Sequence, residues 1–464
     1  MICVSGFDSL LRMKVVLIST YELGHQPFGL ASPAAWLRRE GHEVCCIDTS
    51  QQALKDHENA IAAAEAVAFY LPMHTATRIA MQGIRRVRTL NPSAKLCAYG
   101  LYAPMNAEML GELGVERIIG GEFEKDLVEW VGQVRTTKEE GRSGPVVSLE
   151  RLSFITPDRE GLPPLKKYAR LRLPNGEERI TGYTEATRGC KHLCRHCPIV
   201  PVYDGAFRVV QKDVVLADIR QQVKAGGQHI TFGDPDFFNA PKHAAEIVEA
   251  LHGEFPELTY DVTIKVEHLL QNADLLPVLR QTGCAFVVSA VEAFDEAVLA
   301  RLEKGHTKAD FLHVVQQFRD TGLKMSPTFV AFTPWTTLDS YHDFLETITE
   351  IGLVDNISPV QFSIRLLIPA GSRLLELAEI QQKIGQFDRG KLSFLWSNPD
   401  PRVDELQREV EEAVQRGNRL NHSRRQIFAE ACRLTSAKTG RLFTEPPNLP
   451  DRATIPYLTE PWYC

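Results

Sequence analysis

From residue 13 onward, short apolar runs alternate with longer stretches of helical periodicity. Runs at 15–19, 43–48, 67–71, 96–99 and 117–119 predict five strands, and helical stretches at 33–39, 75–88 and 106–113 lie between them. Five strands interleaved with helices predict a doubly wound parallel sheet over residues 13–136. The next segment, 137–178, reads as connection. TTKEEGRSGP at 136–145 is a charged, glycine-bearing linker. Pro157, Pro163 and Pro164 make 154–168 an extended strap, and Asn175-Gly176 between two strand-like runs signals a hairpin. From residue 179 to 375 the alternation resumes at the larger spacing of a βα barrel. Strands are predicted at 182–187, 229–232, 260–265, 285–289, 325–332 and 360–366, and helices at 213–225, 241–251, 275–282, 308–321 and 338–351. That is six βα units, a partial barrel. Residues 376–464 change texture. Helical patterns at 403–416 and 424–434 precede Pro446, Pro447, Pro450 and Pro456, which stop regular structure. The first twelve residues fit neither a signal peptide nor a first strand, so Met13 is the more natural beginning.

Composition narrows the class. A chain of 464 residues has room for about three domain-sized units. Apolar content of 44% and charged content of 24% suit a globular protein. No apolar run approaches the roughly 20 residues that span a bilayer. A net charge of −7 gives no general attraction for nucleic acid. The basic clusters Arg85–Arg86–Arg88 and Arg424–Arg425 read as solvated helix faces. Ten cysteines without a secretory signal imply a reducing, cytoplasmic setting.

Three of those cysteines stand apart. Cys190, Cys194 and Cys197 are spaced CxxxCxxC just beyond the predicted strand 182–187. Clustered thiolates select zinc or iron–sulfur centres. Zinc sites usually pair two knuckles and close with four ligands. Here no second knuckle lies nearby, and three thiolates suit a cubane cluster with one iron left open. A zinc loop using His192 or His196 as fourth ligand is the competing reading. It would make the chain a metal-binding or redox-sensing module rather than an enzyme.

CxxxCxxC at a strand end resembles the radical S-adenosylmethionine (SAM) superfamily. The resemblance implies a 4Fe–4S cluster held by Cys190, Cys194 and Cys197, with SAM on the fourth iron and reductive SAM cleavage starting radical chemistry. It also implies a partial barrel, an unidentified substrate and a reductant such as flavodoxin or ferredoxin. The ring expected just before the third cysteine is His196, where the family has Phe, Tyr or Trp. Arg188, Lys191 and Arg195 are expected to offset the charge of the cluster.

Further positions follow from the same resemblance. FGDPDFFN at 232–239 takes the place of the family's Gly-Gly-Glu stretch, making Asp234 or Asp236 the acceptor for the SAM amino group. Lys265 and Glu267 would meet the SAM carboxylate and ribose. Ser289 and Glu292, before a Lys-Gly-x-Thr turn at 304–307, resemble a further SAM-contacting stretch, although Ala293 replaces the serine expected after the acid. Arg365 is expected near the barrel mouth, on an anionic substrate or a barrel carboxylate.

The N-terminal sheet resembles the flavodoxin-like cobalamin-binding domain that precedes many radical SAM barrels. LRREGH at 37–42 and GGEFE at 120–124 carry the likeness. Gly120 and Gly121 would let backbone approach a bulky ligand, with Glu122 beside it. The DxHxxG motif that supplies a cobalt-ligating histidine is absent, and His25 lies at another spacing. Cobalamin is therefore an expectation from the sheet alone, with methyl transfer as the implied reaction. The end, TEPWYC, resembles the Cys-Sec-Ala-Glu-Pro and Cys-Cys-Ala-Glu-Pro tails of some radical SAM proteins. On that reading Cys464 precedes a selenocysteine codon taken as a stop.

Overall fold

The computed structural model describes residues 12–135, 144–443 and 456–459. All but Arg12 of the expected extension, most of the 136–145 linker, three of the four tail prolines and Cys464 lie outside the described residues. No described helix is long and apolar enough to cross a membrane.

The N-terminal sheet contains β1 (Lys14–Ser19), β2 (Glu43–Asp48), β3 (Ala66–Tyr70), β4 (Lys95–Tyr99), β5 (Arg117–Gly121) and β6 (Val146–Ser148). All are parallel, in the order β2-β1-β3-β4-β5-β6. Every residue of β3 is buried, as expected of a strand covered on both faces by helices. β6 was not predicted. It is a three-residue run beyond the linker, too short to show periodicity.

The second sheet follows the order β14-β13-β12-β11-β8-β7-β17. Its members are β7 (Arg170–Arg172), β8 (Glu178–Thr184), β11 (His229–Phe232), β12 (Thr259–Thr263), β13 (Cys284–Glu292), β14 (Met325–Phe329) and β17 (Tyr457–Leu458). Between them, β9 (Thr187–Gly189) and β10 (Phe207–Val209) pair around the cysteine loop, and β15 (Ile384–Asp388) and β16 (Ser393–Trp396) form a separate hairpin. The strands from β8 to β14 run parallel as a curled partial barrel, and β7 folds back antiparallel through the Asn175-Gly176 turn. The predicted sixth strand at 360–366 is not one. Pro359–Phe362 forms a 3₁₀ turn, and a single bridge from Phe332 to Arg365 is what remains of the pairing. Pro359 at its start lacks the N–H that a ladder needs.

The helices begin where side chains cap them. Thr307 with Asp310, Thr337 with Ser340 and Ser423 with Gln426 form capping boxes. The C-terminal helices Pro401–Arg419 and Arg424–Thr439 pack against the barrel, and Val410 and Phe428 share its apolar core with Ile230, Val287 and Phe329. Trp36 of the N-terminal domain enters that same core. The strap binds both units. Arg159 donates to both carboxylate oxygens of Asp218 at 2.9 Å, to Gln26 at 2.7 Å and to the Tyr183 carbonyl at 2.7 Å.

Candidate active site

The three cysteines sit at the carboxyl end of β8, where barrel chemistry is found. Cys194 is buried and the other two half-buried. Burial pushes the Cys190 thiol up to about 11 and Cys197 up to about 12, and each feels its neighbouring sulfurs. Loading a metal here must therefore release protons. Tetrahedral zinc with bonds of ~2.3 Å holds thiolates ~3.8 Å apart. Among the described residues, the two donor groups within 4.8 Å of one another include none of these cysteines. Three thiols without a fourth in the loop suit a cubane with one iron left open.

The loop histidines are engaged elsewhere. His196 Nε2 lies 3.1 Å from Glu292 Oε1, and Lys304 Nζ donates to the same oxygen at 3.3 Å. Glu292 ends β13 with φ at +72°, a left-handed conformation costly for a side-chain-bearing residue. Burial alone would push its carboxyl up, but Lys304 and His196 hold it down at about 2. Glu292, His196 and the Lys304 turn thus come together beside the sulfurs. Burial notwithstanding, Glu292 and the sulfurs of Cys194 and Cys197 keep the Lys304 ammonium above its usual value.

A second chain of polar groups runs along the other side. Lys265 Nζ lies 3.1 Å from Glu267 and 3.0 Å from His192 Nδ1. Lysine can only donate, so the His192 proton belongs on Nε2. That atom is 3.1 Å from His268 Nε2, which leaves the His268 proton on Nδ1, 2.7 Å from Asp236. Asp236 and Lys265 thus flank the two rings, and Asp236 Oδ2 and His268 Nδ1, though close, have no hydrogen-bond partner. His306, buried, has both ring nitrogens without a hydrogen-bond partner, and burial with Lys304 and Lys265 lowers it to about 4. His268 and His306 escaped sequence reasoning. Their signal was polar residues crowded just past strand ends, in KVEH and KGHT.

The remaining expected residues lie in different surroundings. Asp234 accepts from the Ala186 N–H at 2.8 Å and the Thr187 hydroxyl at 2.6 Å, tying β11 to the cysteine loop. Burial, set against those hydrogen bonds, pushes its carboxyl up to about 7. Ser289 is fully buried with an unpartnered hydroxyl.

The cationic loop reads differently from expectation. Arg188 turns away from the sulfurs and into the N-terminal domain. It meets Glu122 at 3.2 Å, Glu124 at 2.7 Å and Glu185 at 2.7 Å, with the rings of Phe28, Phe123 and Phe154 around it. Two buried carboxylates and the half-buried Glu185 hold it there. Arg195 pairs with Glu303 at 2.6 Å. The cations that do feel the sulfurs are Lys265 and Lys304. Arg365 pairs with Asp404 of a C-terminal helix at 2.7 Å rather than with a barrel carboxylate.

The N-terminal sheet edge was tested as a corrin cradle. A Cβ at Gly120 would collide with Pro104, and one at Gly121 with the Ser148 carbonyl of β6. Tyr70 lies against Gly29 and packs with Tyr99 and Phe123. Glu122 also accepts from the Tyr203 hydroxyl at 3.2 Å. What approaches Gly120 and Gly121 is the chain itself, so close packing of Pro104 and β6 accounts for these two glycines. The large cavity lies instead in the barrel lumen. It measures about 1190 Å³, with Leu23 and His25 of the N-terminal domain among its lining residues. His25 packs against Tyr183, with ring centroids 4.8 Å apart and the planes tilted by 37°.

Comparison with known proteins follows this geometry. The hopanoid C-3 methylase of Methylococcus capsulatus is 24% identical over 174 residues, 38% of this chain and 33% of that protein. A tRNA-2-methylthio-N(6)-dimethylallyladenosine synthase of Haemophilus influenzae is 22% identical over 316 residues, 64% of this chain and 62% of that one. The chain thus spans less than two thirds of these relatives. Among solved structures, the cobalamin-dependent SAM radical enzyme OxsB superposes with a TM-score of 0.69 at 14% identity, covering 89% of this chain and 68% of that one. The radical SAM methyltransferase TsrM from Kitasatospora setae gives 0.67 at 15% identity, covering 86% and 89%. Both share the order of N-terminal sheet, partial barrel and helical tail. The comparisons support a 4Fe–4S cluster and SAM as cofactors and leave cobalamin open as a third. Residues 184–350, which carry the three cysteines, match the model of the Radical SAM superfamily, and this part of the chain is a radical SAM domain.

Proposed function

We propose that the chain is a radical SAM enzyme acting on a substrate held in the barrel lumen. The observation that carries this is the donor set: three thiols within eight residues at the carboxyl end of β8, with His192 engaged by Lys265 and His268 and His196 by Glu292. When bound, the cluster and SAM supply a 5′-deoxyadenosyl radical that abstracts hydrogen. Cys190, Cys194 and Cys197 hold three irons. Glu292, fixed as an anion by Lys304 and His196, orients the ribose or amino group of SAM. Asp236, whose Oδ1 accepts from the Phe238 N–H and whose Oδ2 has no partner, would accept from the amino group, and Lys265 would meet the SAM carboxylate. Asp234 fixes the loop rather than touching SAM. The N-terminal domain caps the carboxyl end of the barrel and keeps water from the reacting centre. A small redox protein such as flavodoxin or ferredoxin supplies the electron.

A second reading, cobalamin-dependent methyl transfer, is supported by the domain order shared with OxsB and TsrM. Anaerobic reconstitution with iron and sulfide tests both readings. Reduction with SAM is expected to yield 5′-deoxyadenosine and methionine. Zinc without sulfide would support the sensor instead. S-adenosylhomocysteine formed only with added hydroxocobalamin would favour methyl transfer.

A further inference from the structure

The lumen cavity runs the length of the barrel. At the carboxyl end it is lined by His25, Gly233 and Pro235, and at the amino end by Glu178, Ser326 and Arg424. β8 alone, Glu178–Thr184, spans roughly 20 Å at the usual rise per residue. The cysteine loop lies at the first end and Arg424 at the other.

The charges lining this space are almost all matched. Arg172 donates to Glu178 at 2.6 Å. Asp261 accepts from Thr231 at 2.7 Å and lies 2.8 Å from His229 Nε2. Asp234 is held by Thr187 and Ala186. Arg424 is the exception. Its neighbour Arg425 takes both oxygens of the Asp355 carboxylate, at 3.0 and 2.5 Å. Arg424 is left with the Asp355 backbone carbonyl at 2.6 Å and the face of Tyr457 at 4.8 Å. No carboxylate lies within 4 Å of its guanidinium among the described residues. The sequence pattern made this pair a solvated helix face, but both side chains are half-buried. The helix start is already capped by Ser423, so the free valence belongs to the guanidinium and not to the helix end. Burial also pushes Arg424 below its usual value, against Tyr457 and Asp355. A half-buried cation that faces a cavity and whose nearest carboxylate is already taken by Arg425 is one that an anion would complete.

We infer that Arg424 forms an anion subsite at the amino end of the lumen, which receives a carboxylate or phosphate group at the far end of an elongated substrate. The reacting carbon of that substrate then lies roughly 15–20 Å from its anionic group, the span of the barrel strands. This rests on the radical SAM reading for the identity of the reacting end. The subsite itself does not.

Calorimetric titration of the cluster-loaded protein with inorganic phosphate, and separately with acetate, tests it without SAM or reductant. Saturable binding is expected for one or both probes, and the stronger probe identifies the head group. Arg424→Gln should weaken that binding by at least about tenfold, the share of a charge-assisted hydrogen bond. Asn421→Asp adds a carboxylate to the lining at an exposed position, leaves Arg424 in place, and should also weaken it. Absence of saturable binding, or equal binding in both variants, would overturn the subsite. Binding that appears only in Glu460→Gln would overturn it too, by assigning the guanidinium to the chain's own tail. A protein that binds anions through Arg424 yet yields no deoxyadenosine would fault the proposed function and leave the subsite standing.

Discussion

Glu292 shows how one residue is held in a conformation it would not choose. Its φ of +72° is sustained because Lys304 and His196 fix its carboxylate from two sides. Glu292→Gln keeps the shape and removes the charge. SAM affinity is expected to fall by roughly tenfold, measured by equilibrium dialysis of the loaded protein. The pH dependence follows from a depressed carboxyl. Its stabilising contribution is complete above the ordinary carboxylate value near 4.5 and is lost only as pH falls toward about 2. SAM binding should therefore show no inflection from this group near neutrality. At this scale the sequence was partly legible. Spacing alone exposed Cys190, Cys194 and Cys197, because few other roles demand three thiols in eight residues. Glu292 was found by resemblance despite Ala293. His268 and the orientation of Arg188 were not legible, since each depends on partners distant in sequence: Asp236 for one, Glu122 and Glu124 for the other.

Among elements, the contact between β9 and the start of the helix Phe123–Gln133 is the most consequential. Arg188 on β9 reaches Glu122 and Glu124 across the domain boundary, and Ser32 donates to Glu124 at 2.6 Å. Removing the cation would strand buried carboxylates. Arg188→Gln is expected to destabilise the protein by about 3–5 kcal/mol, read by chemical denaturation. Glu122 adds a pH dependence of opposite sign to that of Glu292. Burial and Glu124 push it up and Arg188 pulls it down, leaving it at about 7. A carboxyl raised on folding stabilises fully below its unfolded value and loses that contribution as pH rises through about 7. The Tm should therefore decline between about pH 4.5 and 7 and level off above, and Glu122→Gln should flatten the decline. A slope unchanged in that variant would assign the effect to other groups. The elements themselves were largely readable. β11 was placed to the residue, and so was the helix Lys308–Thr321. The failures included the strand expected at 360–366, which is a 3₁₀ turn, the short β6, whose three residues carry no period, and the tail strand β17, which pairs with β7 across 285 residues. Non-local pairing of so few residues leaves no local trace.

On the scale of the whole molecule, one apolar core joins the barrel, the C-terminal helices and Trp36 of the N-terminal domain. Both units line a shared lumen, with His25, Gly233 and Pro235 at one end and Arg424 at the other. The cysteine-bearing end is where the account can be contradicted most directly. Electron paramagnetic resonance of the reduced, reconstituted protein, recorded with and without SAM, reads the open iron itself. A reduced 4Fe–4S signal that changes on adding SAM, and that is lost in Cys194→Ala, is the predicted result. A signal indifferent to SAM, or a protein that holds zinc and gives no signal, would contradict the account.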